Sequence, residues 1–123
     1  MTVRVPPEAF YLNGVLVEPD ALRITGSTAA RRIEPKVMAL LVALSGQPGQ
    51  LWTRDALVER LWSGEAASDE ALTRIVYQLR KALRAVGAVA EAVRTVPKLG
   101  YRLDAEVRAA DATVNSTSPS ASE

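Results

Sequence analysis

Between Thr73 and Arg84 the chain spaces long polar side chains at helical intervals: Thr73, Arg74, Tyr77, Gln78, Lys81 and Arg84, with Arg80 at their edge. Residues three and four apart share one face of a helix, so these build a single polar, mostly basic surface. Arginine suits guanine O6 and N7, and glutamine suits adenine N6 and N7. Arg74 and Gln78, one turn apart, are therefore candidates for reading base edges. Thr73 and Tyr77 share their face. Tyr77 can meet a thymine methyl or a phosphate, or lie flat on its own domain. Arg80, Lys81 and Arg84 lie further from the base-reading end and suit phosphates, contacts that position a protein without specifying sequence. For Arg80 the competing expectation is a structural ion pair with a carboxylate in the helix bundle.

The element that must hold these residues is one amphipathic helix over about 69–86. Leu72, Ile75, Val76, Leu79, Ala82, Leu83 and Val86 form its opposite, apolar stripe. Ser68 is placed to cap it, and Asp69 and Glu70 suit its positive end. Gly87 can close it.

Other chemistries are narrowed by composition. The 123 residues contain no cysteine and no histidine, so a Ser-His-Asp triad, a Cys-His dyad or a histidine- or thiolate-bound zinc cannot form within this chain. Glu34, Asp55, Glu59 and Asp69 are better explained as caps and surface charges than as catalytic carboxylates. An enzyme is not expected, and neither a cofactor nor a metal. No apolar run approaches the roughly 20 residues of a membrane span, and the amino terminus lacks a signal-peptide pattern. The net charge is only +1, but residues 74–102 hold seven basic residues against Glu91, a net +6, while residues 1–73 carry −2 and 103–123 carry −3. Such asymmetry is the footprint of a polyanion-binding face, or of a solvated helix beside a basic loop.

In chain order, residues 1–8 read as an extended lead-in. From Ala9 to Ile33 short apolar runs alternate with turn formers, and Asn13-Gly14 between two β-prone runs is a strong hairpin signal. A small antiparallel sheet of three or four strands is expected, ending in a short strand at Arg32-Ile33. Pro35 opens a helix at a position where its missing N–H loses nothing. That helix is apolar over most of its circumference. Leu51-Trp52 reads as a single-bridge strand. Thr53 caps a second helix with Leu57, Val58, Leu61 and Trp62 on its buried stripe. After Gly87, Val93–Val96 and Tyr101–Leu103 alternate like strands around a Pro97–Gly100 turn. From about Arg108 the composition shifts to small and polar residues, so the chain divides into a domain over 1–107 and a disordered tail or linker over 108–123.

Sheet, helix, helix, helix, hairpin is the order of an α+β winged helix-turn-helix. The quoted residues deepen this into a resemblance. Ile33-Glu34-Pro35-Lys36, Pro48-Gly49, Thr53–Leu57, Leu61-Trp62, Asp69–Thr73, Leu79–Leu83 and Arg94–Leu103 together resemble the effector domain of OmpR/PhoB-type transcription regulators, and within it the ToxR/CadC-like subgroup. The resemblance covers roughly residues 10–105. It implies a four-stranded N-terminal sheet, three helices and a C-terminal hairpin wing. It implies sequence-specific binding of double-stranded DNA, with the third helix in the major groove and the wing (97–100) at the minor groove or backbone. It further implies a tandem homodimer on DNA, a cytoplasmic site of action and, in this subgroup, a membrane-anchored sensor beyond the C-terminus. With no receiver domain ahead of it, regulation by aspartyl phosphorylation of this chain is not expected.

The positions of Arg74 and Gln78 match family residues that reach bases. Thr53 and Arg54 begin the second helix, whose amino end can hold a phosphate or simply be capped. In the wing, Lys98 is the expected minor-groove or phosphate contact. Leu99 stands where many relatives have a basic residue, which suits weaker groove readout or a protein contact. Gly100 is expected to supply a positive φ. Tyr101, Trp52 and Trp62 read as packing aromatics, although Trp52 or residues 63–67 could meet RNA polymerase or a neighbouring protomer. The alternative function is a winged-helix protein-interaction module that self-associates without DNA specificity.

Overall fold

The computed structural model describes residues 9–109 apart from 64, 66 and 89. The lead-in expected over 1–8 and all but the first two residues of the expected tail lie outside the described residues. The chain opens with β1 (Phe10–Leu12) and β2 (Val15–Glu18), turned at Asn13-Gly14, both with positive φ. β3 (Arg23–Thr25) and β4 (Ala30–Arg32) follow, then α1 (Pro35–Ser45), β5 (Leu51–Thr53), α2 (Arg54–Trp62) and α3 (Asp69–Ala85). β6 (Val93–Val96), β7 (Gly100–Leu103) and β8 (Val107–Ala109) end the described chain.

Two antiparallel sheets result. One runs β4-β3-β2-β1-β8, the other β5-β7-β6. Three expectations change here. The last N-terminal strand is Ala30–Arg32, and Ile33 is buried just beyond it. β5 is a full three-residue strand on β7, with Trp52 opposite Tyr101. The amino-terminal sheet gains a fifth strand, β8, so the expected boundary after residue 107 cuts through an element that continues to Ala109. The hinge to β8 is fixed by Asn13, whose Oδ1 accepts from the Glu106 N–H at 2.9 Å while its own N–H donates to the Glu106 carbonyl at 2.9 Å.

The core lies among the three helices and the inner faces of both sheets. α1 is buried at Val37, Met38, Leu40, Leu41 and Leu44, as expected of a helix apolar nearly all round. α2 contributes Leu57 and Leu61. Leu12, Val17 and Ile24 cover the core from one sheet, and Val93, Tyr101 and Leu103 from the other. α3 buries Leu72, Ile75, Val76, Leu79, Ala82 and Leu83. Complete burial of a leucine stabilises by about 1.5–3 kcal/mol. Leu72, Leu79 and Leu83 therefore fix the rotation of α3 about its axis far more firmly than helix propensity does. Among the described residues no helix is long and apolar enough to cross a membrane.

Candidate nucleic-acid interface

With its apolar stripe buried, α3 must present its polar face outward. Ser68 caps the helix, its Oγ accepting from the Ala71 N–H at 3.1 Å, and Gly87 leaves it with φ +88°. Thr73, Arg74, Lys81 and Arg84 are exposed, and Tyr77 is 58% exposed. Gln78 differs. It is half-buried, and its Oε1 is enclosed with no hydrogen-bond partner. As placed, that oxygen faces into the protein and not out from α3.

Two arginines expected at phosphates, Arg54 and Arg80, make hydrogen bonds within the protein. Thr53 caps α2 by accepting from the Ala56 N–H at 3.1 Å. Arg54, next to it, turns inward. Its Nη1 donates to the Tyr101 hydroxyl at 3.0 Å, and its Nη2 to the Asp69 carbonyl at 3.1 Å and to Thr73 Oγ1 at 2.9 Å. Burial works against this charge but is outweighed by Tyr101 and Asp69, which raise the guanidinium pKa. One side chain thus ties the start of α2 to the start of α3 and to β7. It also fixes the Thr73 hydroxyl in place. Arg80 donates from Nε and Nη2 to the Val93 carbonyl at 3.0 and 2.7 Å, and from Nη2 to Thr95 Oγ1 at 2.9 Å. The anchor is structural, but its acceptor is a strand carbonyl and a hydroxyl, not the carboxylate expected. The reason is β6: its start runs beside the middle of α3 and offers a carbonyl that no acid side chain was needed to replace.

The wing is the β6–β7 turn. Lys98 takes the positive φ, +69°, and is exposed. Gly100 does not take it, contrary to expectation. Its need for glycine is steric: a Cβ there would strike the Trp52 carbonyl oxygen of β5. Leu99 stands 53% exposed at the tip. Its N–H donates to the Val96 carbonyl at 3.0 Å, and its carbonyl accepts from the Arg54 N–H at 3.2 Å. The tip is therefore held to the start of α2. Tyr101 is buried, and Trp52 and Trp62 pack against the core, with Arg60 over the Trp52 ring at 5.8 Å and Lys36 over the Trp62 ring at 5.2 Å.

Two basic grooves border α3. Arg80, Arg84, Arg94 and Thr95 line one toward β6, together with the acidic Glu91. Arg31, Arg32, Gln78 and Lys81 line the other toward β4. Sequence reasoning passed over Arg31, Arg32 and Arg94. The Arg31-Arg32 doublet was the available signal, but a strand end far from α3 in sequence gives no hint of adjacency.

The family model described as "Transcriptional regulatory protein, C terminal" matches residues 29–103. Heme response regulator HssR of Staphylococcus saprophyticus is 33% identical over 97 residues, covering 78% of this chain and 43% of that protein. Transcriptional activator CadC of Escherichia coli is 29% identical over 89 residues, 72% of this chain and 17% of CadC. The chain therefore spans less than half the length of these curated relatives. The solved DNA-binding domain of E. coli CadC superposes with a TM-score of 0.75 at 26% identity, covering 85% of this chain and 99% of that domain.

Proposed function

The chain belongs to the family of transcriptional regulatory proteins that share this C-terminal domain, and on that premise we propose that it binds double-stranded DNA sequence-specifically as the effector domain of a bacterial-type transcription regulator. The carrying observation is the outward face of α3, where Thr73, Arg74, Tyr77 and Lys81 stand exposed, on a helix whose rotation the core fixes. α3 enters the major groove. Arg74 and Gln78 read base edges, with Thr73 and Tyr77 beside them, and Lys81 and Arg84 meet phosphates. Lys98 brings the wing to the minor groove or its backbone. The amino end of α2, capped by Thr53, holds a backbone phosphate. The domain acts as a tandem homodimer on repeated half-sites, on the cytoplasmic side, where it can meet RNA polymerase. A membrane-anchored sensor beyond the C-terminus is what the resemblance to the ToxR/CadC-like subgroup implies.

The test is selection from randomised duplexes followed by binding to the selected site and to a scrambled one. Arg74→Ala and Gln78→Ala are each expected to reduce the selected-to-scrambled ratio by about 5- to 150-fold, the equivalent of roughly 1–3 kcal/mol per bidentate contact. Unchanged ratios for both variants would remove the base-reading assignment. A wild type that self-associates but shows no duplex affinity at about 50 mM salt would favour the interaction module.

A further inference from the structure

The basic groove on the β4 side of α3 belongs neither to the helix pair nor to the wing. Arg31 and Arg32 of β4, Glu34 and Val37 at the start of α1, and Gln78 and Lys81 of α3 line a shallow cavity of about 220 Å³. β4 is the outer strand of its sheet, and Arg31, Arg32 and Lys81 are exposed. Among the described residues none of these three joins an ion pair. Glu34, the one acid in the cavity, is likewise unpaired and leaves the cations in excess. Its side chain does not cap α1, so the positive end of that helix adds to the same potential.

We infer that this cavity is a second DNA-backbone site, in which Arg31 and Arg32 hold phosphates on the flank of α3 away from the wing. The inference rests on the DNA-binding reading and extends it to the N-terminal sheet. Continuity supports it, since Gln78 and Lys81 belong both to the cavity and to the outward face of α3. So do dimensions. A helix with side chains is about 10–12 Å across and the B-DNA major groove about 12 Å wide. A helix lying in that groove therefore meets phosphates on both walls. The β6-side groove with Arg84 and Arg94 faces one wall, and Arg31, Arg32 and Lys81 face the other.

The experiment is a salt titration of affinity on a single half-site duplex and on a tandem-site duplex for the wild type, Arg31→Ala/Arg32→Ala and Arg31→Lys/Arg32→Lys. Each phosphate neutralised contributes about 0.9 to the slope of log affinity against log salt. The alanine pair is expected to lose about 1.8 of that slope, bind tens-fold more weakly at about 0.1 M salt, and keep its preference between selected and scrambled sites. The lysine pair is expected to regain the slope. Equal urea midpoints for all three show that the fold is kept. An unchanged slope in the alanine pair overturns the site, as does a loss seen only on tandem sites, which would make the arginines a contact between protomers. A wild type without duplex affinity instead overturns the DNA-binding reading itself.

Discussion

Arg80 shows how a basic residue at the edge of an outward polar helix face can serve the fold. Two of its three guanidinium nitrogens are committed to the Val93 carbonyl and the Thr95 hydroxyl, so it fastens the wing sheet to α3. Arg80→Met keeps the stem and removes these bonds. It is expected to lower stability by about 1–3 kcal/mol and to weaken binding to every duplex through a displaced wing, while leaving the salt slope unchanged. Urea unfolding and a salt titration check both parts. A slope reduced by about 0.9 would return Arg80 to the phosphate contacts. Arg54 follows the same logic through Tyr101, Asp69 and Thr73. The helical period shows which residues face outward but not whether a long side chain bends back. That depends on what another element places within its reach, which is why Arg54 and Arg80 could not be assigned from spacing. The Gly100 expectation failed for a related reason. A turn glycine suggests positive φ, yet the constraint there is the backbone of β5, which joins the hairpin from a distance in sequence.

At the scale of elements, the wing sheet carries a conflict and its remedy. Arg94 and Arg102 stand directly opposite each other on β6 and β7, and like charges so placed destabilise a strand pair. Asp104 answers both. Its Oδ1 accepts from Arg102 Nε at 2.7 Å and its Oδ2 from Arg102 Nη2 at 3.0 Å, and Arg94 Nε lies 3.4 Å from Oδ2. The Arg102 hydrogen bonds lead in holding the Asp104 pKa below its ordinary value of 3.8. A carboxyl whose pKa is depressed on folding stabilises above its unfolded pKa, and that contribution fades as pH falls through the folded value. Asp104→Asn is therefore expected to unfold at lower urea than the wild type at pH 7. The two midpoints should converge as the pH falls through the lowered Asp104 value. Parallel midpoints across that range would show that the carboxylate is not what holds the strands. Among the elements, α3 and the β1–β2 hairpin were legible because their signals are local: period, caps and Asn13-Gly14. β5 and β8 were not. Each is three residues long and exists only through a partner far along the chain, β7 and β1 respectively.

Across the whole molecule, α3 is held at three places by three parts of the chain. Arg54 holds its amino end and Arg80 its middle. The turn between β3 and β4 holds its carboxyl end, where the Thr28 N–H donates to the Val86 carbonyl at 3.2 Å. The charge tally by sequence window could not reveal this arrangement. It counted Arg31 and Arg32 with an acidic half of the chain, whereas the fold sets them beside Lys81. The contact at the carboxyl end is close enough to test whether the N-terminal sheet helps aim the helix. A Cβ on Gly26 would strike the Val86 carbonyl oxygen, and one on Gly87 would crowd Ser27 and Thr28. Gly26→Ala must therefore push the turn and the end of α3 apart. Overpacking of this kind costs about 1–3 kcal/mol, read as a lower urea midpoint. Displacing the helix end by even a fraction of an ångström misaligns bidentate base contacts, which need defined geometry, more than phosphate contacts, which tolerate displacement. Gly26→Ala is thus expected to lose more affinity for the selected site than for a scrambled one. Ser27→Ala, which adds no atom, should match the wild type in both. If Gly26→Ala lowers stability yet keeps the wild-type preference, the turn yields alone, and the amino end and middle suffice to aim α3.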